Sequence, residues 1–327
     1  MKVCVYGAGV IGGILASAAE RAGHEVSVIA RGAHLDAIRA KGLAVVTPES
    51  RVVSKVAASA DARDFGVQDF VIVATKTPAF FEVARGISPL IGPDTLTGFA
   101  VNGVFWFYGD GFSPPGVTID MKRLDPEGLL HRVIGAERSL GIVCWGGGEI
   151  HEPGVIEASR AGGRFVLGAA MPQTNARAKA LVGALATKDV TFEHAEDVRA
   201  PMWVKNISVI GNFGMCALTG GTIAQVHADP PLHRALVDLS AEVHAVALAH
   251  GFTTLGFDAG KALKNPGTSP HKPSMLQDLE RGRSMEISST FLIVQDLARQ
   301  AGLKTPVLDV VAPLVAARAR NAGLWSD

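Results

Sequence analysis

The sequence predicts an α/β fold, with a doubly wound, mostly parallel sheet in the N-terminal part and an all-helical domain after it. Three observations carry this expectation. Residues 3–6 (Val-Cys-Val-Tyr) read as a short buried strand that leads into Gly7, Gly9 and Gly12, spaced G-x-G-x-x-G, and then into an apolar-periodic helix over 11–22. Strands and helices then alternate. They include the unbroken apolar run 70–75 (Phe-Val-Ile-Val-Ala-Thr), the pattern of a parallel strand covered on both faces. From Ala200 onward apolar residues recur almost wholly at helical spacing.

The order of strand, glycine turn and helix is the setting in which this spacing holds a dinucleotide. Gly7 permits the tight turn, and Gly9 leaves room for a pyrophosphate against the backbone. Gly12 lets helix and strand approach, and the helix N-terminus faces the phosphate charge. The second strand, 25–30 (Glu-Val-Ser-Val-Ile-Ala), alternates as a strand should. A site for NAD usually has Asp or Glu about 20 residues past the glycines, bonded to the ribose 2′-hydroxyl. Here that place holds Ala30, Arg31 and Gly32. No carboxylate repels a 2′-phosphate, and Arg31 offers it a forked, charge-assisted contact, so NADP (NADPH) is the expected cofactor. The plain alternative is a loop arginine on the surface.

Further along, residues 97–101 form another candidate strand, ending at Asn102-Gly103. After about residue 138 come strand-like pieces at 140–145, 155–158 and 164–168. Gly146-Gly147-Gly148, Pro153-Gly154 and Gly162-Gly163 separate them as turn signals, and the pieces are expected to extend the sheet with antiparallel strands. A helix over 176–187 and a short strand over 190–194 follow, then helices over 202–218, 231–250, 285–301 and 305–322. The expected division is a nucleotide-binding domain of residues 1–198 and a helical domain of residues 199–327.

A chain of 327 residues has room for two domains. Lys plus Arg number 31 and Asp plus Glu also 31, so no net charge draws the chain to nucleic acid or an anionic membrane. Cys4, Cys144 and Cys216 are far apart and none lies in a C-x-x-C pair, which points to a reduced compartment and no metal site. With no apolar signal-peptide core at the start and no apolar stretch of bilayer length, a soluble cytoplasmic protein is expected.

Two residues stand out for chemistry. Lys205 lies in an otherwise apolar helical stretch with Trp203, Val204, Ile207, Val209, Ile210 and Phe213, while Ser208 and Asn212 fall near its face three and seven residues on. A buried ammonium needs a partner, unless its stem carries it out to water. Glu286, expected inside the helix over 285–301, aligns with Thr290, Ile293 and Leu297 and is a candidate partner. The alternative is a first-turn Glu that complements the helix dipole.

Together these pieces resemble the ketopantoate reductase (2-dehydropantoate 2-reductase) family over essentially the whole chain. The matching residues are Gly7-Ala8-Gly9-Val10-Ile11-Gly12-Gly13, Arg31-Gly32, Lys76, Asn102-Gly103-Val104, Trp203-x-Lys205, and Lys272-Pro273-Ser274-Met275-Leu276-Gln277-Asp278 followed by Glu286. The resemblance implies a Rossmann domain, a C-terminal domain like that of 6-phosphogluconate dehydrogenases, and NADPH-dependent reduction of a 2-keto acid in pantothenate biosynthesis. It implies Lys205 as the catalytic acid at the keto oxygen, with Glu286 contacting both the lysine and the substrate. It assigns the cofactor to Gly7, Ala8, Gly9, Val10, Ile11, Gly12, Arg31, Lys76 and Asn102, and the substrate to Asn102 and Ser274. A homodimer is compatible with it.

The match breaks in two places. The family usually carries asparagines four and eight residues after the lysine, where this chain has Val209 and Phe213; Ser208 and Asn212 are the substitutes expected to reach the substrate. Past Val104 the chain continues Phe105-Trp106-Phe107-Tyr108 into an apparent insertion reaching roughly to residue 130, which either lines a larger apolar pocket or forms the core of the insertion. The first reading is therefore ketopantoate reduction. The second is the same hydride chemistry on another, bulkier 2-keto acid. The third is a non-catalytic NADP(H)-binding regulator.

Overall fold

The computed structural model describes residues 1–158 and 163–326; Gly162 of the Gly162-Gly163 turn lies outside the described residues. The chain divides into two compact units, 1–101 with 127–198, and 102–126 with 199–327.

The strands of the first unit are β1 (Lys2–Tyr6), β2 (Glu25–Ile29), β3 (Leu43–Val46), β4 (Arg51–Ser54), β5 (Ala57–Ser59), β6 (Phe70–Val73), β7 (Leu96–Phe99), β8 (Ser139–Trp145), β9 (Gly148–Glu152), β10 (Val155–Ala158), β11 (Arg164–Ala169) and β12 (Thr191–Ala195). Eight of them form one sheet in the order β12-β11-β8-β7-β6-β1-β2-β5. From β5 to β8 every neighbouring pair is parallel, whereas β11 runs antiparallel to β8 and carries β12 parallel to itself. Every residue of β6 and β7 is buried, as the apolar runs require. The chain leaves β1 in one direction to β2 and later returns on its other side as β6. The carboxyl ends of β1 and β6 therefore flank the point where the strand order reverses, the crevice where open α/β sheets bind ligands.

The pieces after residue 138 depart from expectation. β8 joins the sheet in parallel and only β11 is antiparallel to it, while β9 and β10 leave it altogether and form a second sheet, β4-β3-β10-β9. Helix α1 (Val10–Arg21) packs on β1 and β2 of the large sheet and also on β3, β4, β9 and β10 of the small one. Residues Gly12 to Ala19 of α1 are consequently all buried, and their mostly small side chains, with Ile14 and Leu15 the exceptions, suit a helix covered on two sides. The other helices of this unit are α2 (Gly32–Lys41), α3 (Phe80–Gly86), α4 (Leu129–Val133) and α5 (Asn175–Leu185).

The second unit is helical: α6 (Arg199–Thr219), α7 (Ile223–Ala228), α8 (Pro230–Ala249), α9 (Ala259–Lys264), α10 (Ser274–Glu280), α11 (Ile293–Gln300) and α12 (Leu308–Asn321). Helix α6 packs against α7, α8, α10 and α12 and forms the centre of the unit. The expected helix over 285–301 differs at its start, where Ser288–Leu292 is a π-helical turn running directly into α11. Residues 102–126 belong here rather than with the sheet, a correction to the division at residue 198. The reason is burial: Phe105, Trp106, Phe107 and Tyr108 are wholly enclosed, and Tyr108 packs edge-on against Trp203 of α6. The aromatic run is core, not pocket lining.

All three cysteines are buried and form no disulfide among the described residues, and burial pushes the Cys4 and Cys216 thiols up to about 11. The native protein should therefore react negligibly with a thiol reagent at pH 8 and release three equivalents only after unfolding, as read by absorbance with and without denaturant.

Candidate functional site

The first constellation lies wholly in the sheet unit. Strand β1 pairs Tyr6 with Ile29 of β2 and with Val73 of β6, so the segments beginning at Gly7, Ala30 and Ala74 leave the sheet at one end. Gly7 holds a left-handed φ of 103°, and a Cβ there would press within 2.8 Å of Thr75 Cγ2. A Cβ on Gly12 would sit 1.9 Å from the Gly7 carbonyl oxygen, so only glycine lets the helix start this close to the turn. On Gly9 a Cβ would meet nothing within 4 Å: the turn is open where a ligand's phosphate would lie. Gly9 caps α1 with no side-chain hydrogen bond, leaving the first amide protons of a twelve-residue helix directed at that opening. Thr75 Oγ1, beside Gly7, is buried without a hydrogen-bond partner among the described residues. A pyrophosphate fits this cradle.

Ala8 is buried, whereas Val10 and Ile11 are partly exposed on the first turn of α1. Arg31 is exposed at the N-cap of α2, two residues past β2, and no carboxylate occupies the strand end. Lys76, three residues past β6, is partly exposed ahead of a short 3-10 turn over Thr77–Ala79. The sequence reading missed His34, whose Nε2 donates to the Ala8 carbonyl at 2.7 Å while its Nδ1 accepts from the Gly154 amide at 2.9 Å. A carbonyl can only accept and an amide N–H can only donate, so these bonds define one neutral tautomer and brace the glycine turn. Its partners lie 26 and 120 residues away, and no local pattern marks such a bond.

The second constellation lies wholly in the helical unit. Lys205, in the second turn of α6, is 9% exposed and Glu286 is 8% exposed, which excludes both a snorkelling lysine and a solvated first-turn glutamate. Lys205 Nζ donates to Asn102 Oδ1 at 2.8 Å, and Asn102 Nδ2 donates to Glu286 Oε2 at 3.1 Å. One amide thus presents its acceptor to the ammonium and its donor to the carboxylate, the only orientation that satisfies both. Glu286 precedes the π-helical turn instead of lying inside a helix, a correction to the expected alignment, and its carbonyl accepts from Thr290 Oγ1. π-helical turns are rare and concentrate at functional sites.

Asn102 is aimed by the residue after it. Gly103 has a φ of 86°, and its amide neighbour Val104 donates to the Ser289 carbonyl at 2.7 Å within the π-helical turn. Asn102 and Glu286 are therefore carried by two backbone segments joined directly to one another.

The remaining expected substrate residues have the following surroundings. Ser208 is exposed and its hydroxyl donates back to the Lys205 carbonyl. Asn212 donates to the Ser208 carbonyl at 3.4 Å, and its Oδ1 meets His227 Nε2 at 3.3 Å. Burial, then the neighbouring His233, hold the His227 imidazole below its ordinary range, so it faces Asn212 as a neutral donor. Ser274 is exposed in the first turn of α10. The rest of its motif is structural: Gln277 Nε2 holds the Lys272 carbonyl at 2.9 Å, and buried Asp278 pairs with Arg283 at 3.2 Å. Among the described residues no cluster of His, Cys, Asp or Glu could hold a metal, and no helix is long and apolar enough to cross a membrane.

Both parts of the chain resemble known proteins. The family model for the ketopantoate reductase PanE/ApbA matches residues 3–172, and that for its C-terminal part matches 197–319. A 2-dehydropantoate 2-reductase of Mesorhizobium japonicum is 34% identical over the full length of both chains. Among solved structures, a Ralstonia solanacearum protein assigned as a ketopantoate reductase is 30% identical, with a TM-score of 0.87 over 99% of each chain. A D-mandelate dehydrogenase solved with NADH and anilino(oxo)acetate shares the fold at 20% identity and a TM-score of 0.82, covering 99% of this chain and 100% of its own.

A Cβ on Gly103 would lie 2.0 Å from the Ser289 carbonyl oxygen, on a backbone conformation that alanine resists. Gly103→Ala is therefore expected to cost at least about 1–3 kcal/mol of stability. It should also displace Asn102, with the melting temperature and enzymatic turnover falling together.

Proposed function

The chain belongs to the ketopantoate reductase family, and on that premise we propose that it reduces a 2-keto acid with NADPH, by default 2-dehydropantoate to pantoate, with Lys205 as general acid. The observation that carries this reading is the buried link from Lys205 through the Asn102 amide to Glu286. A non-catalytic nucleotide sensor has no use for an enclosed ammonium, whereas carbonyl reduction needs a positioned proton donor, a role an ammonium can fill.

Gly7, Ala8, Gly9, Val10, Ile11 and Gly12 would hold the pyrophosphate of a reduced nicotinamide dinucleotide, which when bound would supply a hydride for the keto carbon. As the carbon–hydrogen bond forms, the carbonyl π electrons move onto oxygen. Lys205 Nζ hydrogen-bonds this oxygen, stabilises its growing negative charge and transfers a proton to it. Glu286 favours the protonated lysine through its charge, and Asn102 keeps Nζ aimed by accepting one of its three protons. Arg31 supports NADPH over NADH because its exposed guanidinium follows β2 where an NAD site would present a carboxylate. Lys76 adds a second positive charge near the same strand ends. The exposed Ser274 hydroxyl is the remaining polar candidate for the substrate carboxylate.

A second reading, the same chemistry on a bulkier 2-keto acid, is favoured by one observation. Val209 and buried Phe213 stand where the family has asparagines, while Asn212 and Ser208 are engaged along their own helix and with His227. Loss of NADPH absorbance with ketopantoate, beside NADH and a panel of 2-keto acids, separates the two readings.

Lys205→Ala should lower kcat by about 100-fold or more, with NADPH affinity by fluorescence titration unchanged; near-normal turnover would refute the assignment. Arg31→Ala should weaken NADPH by about 10- to 100-fold, the worth of a charge-assisted phosphate contact, and leave the KM for NADH as it was.

A further inference from the structure

The aromatic insertion conceals a polar chain. Trp203 Nε1 donates to Tyr108 Oη at 3.1 Å, Tyr108 Oη lies 3.0 Å from His250 Nδ1, and His250 Nε2 lies 3.3 Å from the Leu297 carbonyl. All four residues are buried. The proton positions follow from donor and acceptor chemistry. The Leu297 carbonyl can only accept, so His250 Nε2 carries hydrogen; in a neutral ring Nδ1 then accepts, and Tyr108 must donate to it. Burial holds the His250 imidazole below its ordinary range, against the opposing pull of the Leu297 carbonyl, so the ring is neutral at physiological pH. Every hydrogen in the chain thus has one direction, from indole to phenol to imidazole to backbone carbonyl.

Each end of this relay belongs to a segment that carries one of the three polar groups described above. Trp203 precedes Lys205 by two residues on α6, Tyr108 closes the loop that begins with Asn102, and Leu297 lies on α11, continuous with the π-helical turn that follows Glu286. Buried Arg199, at the start of α6, adds a parallel tie, its Nε donating to the Tyr108 carbonyl at 2.7 Å and its guanidinium to the Asp110 carbonyl. The guanidinium also lies over the Phe112 ring, 4.7 Å from its centre.

We propose that Tyr108 and His250 are positioning residues: their directed hydrogen-bond relay holds the segments bearing Lys205, Asn102 and Glu286 in register for proton transfer. The proposal rests on the reductase reading above. Hydrophobic packing alone would tolerate small slips of one segment past another. A hydrogen-bond chain with one allowed direction does not, because each slip leaves a buried donor or acceptor unmet.

Tyr108→Phe removes one oxygen and keeps the ring. In steady-state assays with NADPH and the best 2-keto acid of the panel, it should lower kcat about tenfold through misalignment. KM and NADPH affinity should stay near wild type. The alkaline limb of kcat, where Lys205 loses its proton, should move to lower pH, because a misplaced Asn102 oxygen stabilises the ammonium less. Wild-type kcat with an unmoved limb, even at a lower melting temperature, would show the relay to be packing only and overturn the proposal. Trp203→Phe deletes the donor at the other end and is judged by the same criteria if Tyr108→Phe does not fold. A wild-type protein that reduces no 2-keto acid overturns the reductase reading itself, and this proposal with it; the wild-type assay alone identifies that outcome.

Discussion

Burying the ammonium of Lys205 is the constraint from which the helical unit is organised. An unpaired charge in such a place costs several kcal/mol even after relaxation, roughly a large part of a domain's net stability. A neutral amide, Asn102, helps meet this cost by accepting from the ammonium and donating to the Glu286 carboxylate. The arrangement works only while residues 102, 205 and 286 stay within hydrogen-bond distance, a tolerance of a few tenths of an ångström. The left-handed Gly103, the Val104 bond to Ser289, the π-helical turn and the enclosed aromatic run all act on the backbones that carry those three side chains. The segment that follows Asn102 accordingly clusters with the helices and not with the sheet.

The sheet unit solves the opposite problem. Its cradle must leave backbone groups uncovered, and it does so by omitting side chains rather than by pairing them. Gly7 and Gly12 let the turn and α1 close on each other, while Gly9 faces open space. An uncapped helix start would tend to fray, but α1 is clamped between two sheets and its turn is braced by His34. Tertiary packing therefore supplies the stability that local capping does not.

What was legible in the sequence follows the range of the forces involved. The glycine turn, the strands around it and the helical period after Ala200 are local patterns. They appear close to their expected places, with β1 at Lys2–Tyr6 and α1 at Val10–Arg21. Lys205 was legible because a charge amid apolar helix positions is a local anomaly. The small sheet was not, because β3, β4 and β9 are short and half-exposed and acquire their meaning only against α1. Helical periodicity placed Glu286 as the second residue of a helix, whereas it lies just ahead of the helical segment, and the π-helical turn that follows breaks the 3.6-residue register on which the alignment relied. The Tyr108 to His250 bond spans 142 residues, and each partner alone reads as ordinary core.

These differences in range bear on how the chain can vary. The cradle makes its contacts inside the sheet unit and the lysine, amide and carboxylate make theirs inside the helical unit, so each can persist while the other changes. The positions that depart from the family, Val209 and Phe213, lie on α6 one and two turns beyond Lys205, and neither takes part in the Lys205–Asn102–Glu286 link. Substitution at either position neither adds nor removes a side chain of that link. Asn212 shows the same separation, since its amide is occupied by the Ser208 carbonyl and His227 and its loss would leave the charge link whole. The link among Lys205, Asn102 and Glu286 is thus made of contacts whose loss strands a buried charge, whereas Val209, Phe213 and Asn212 lie outside it.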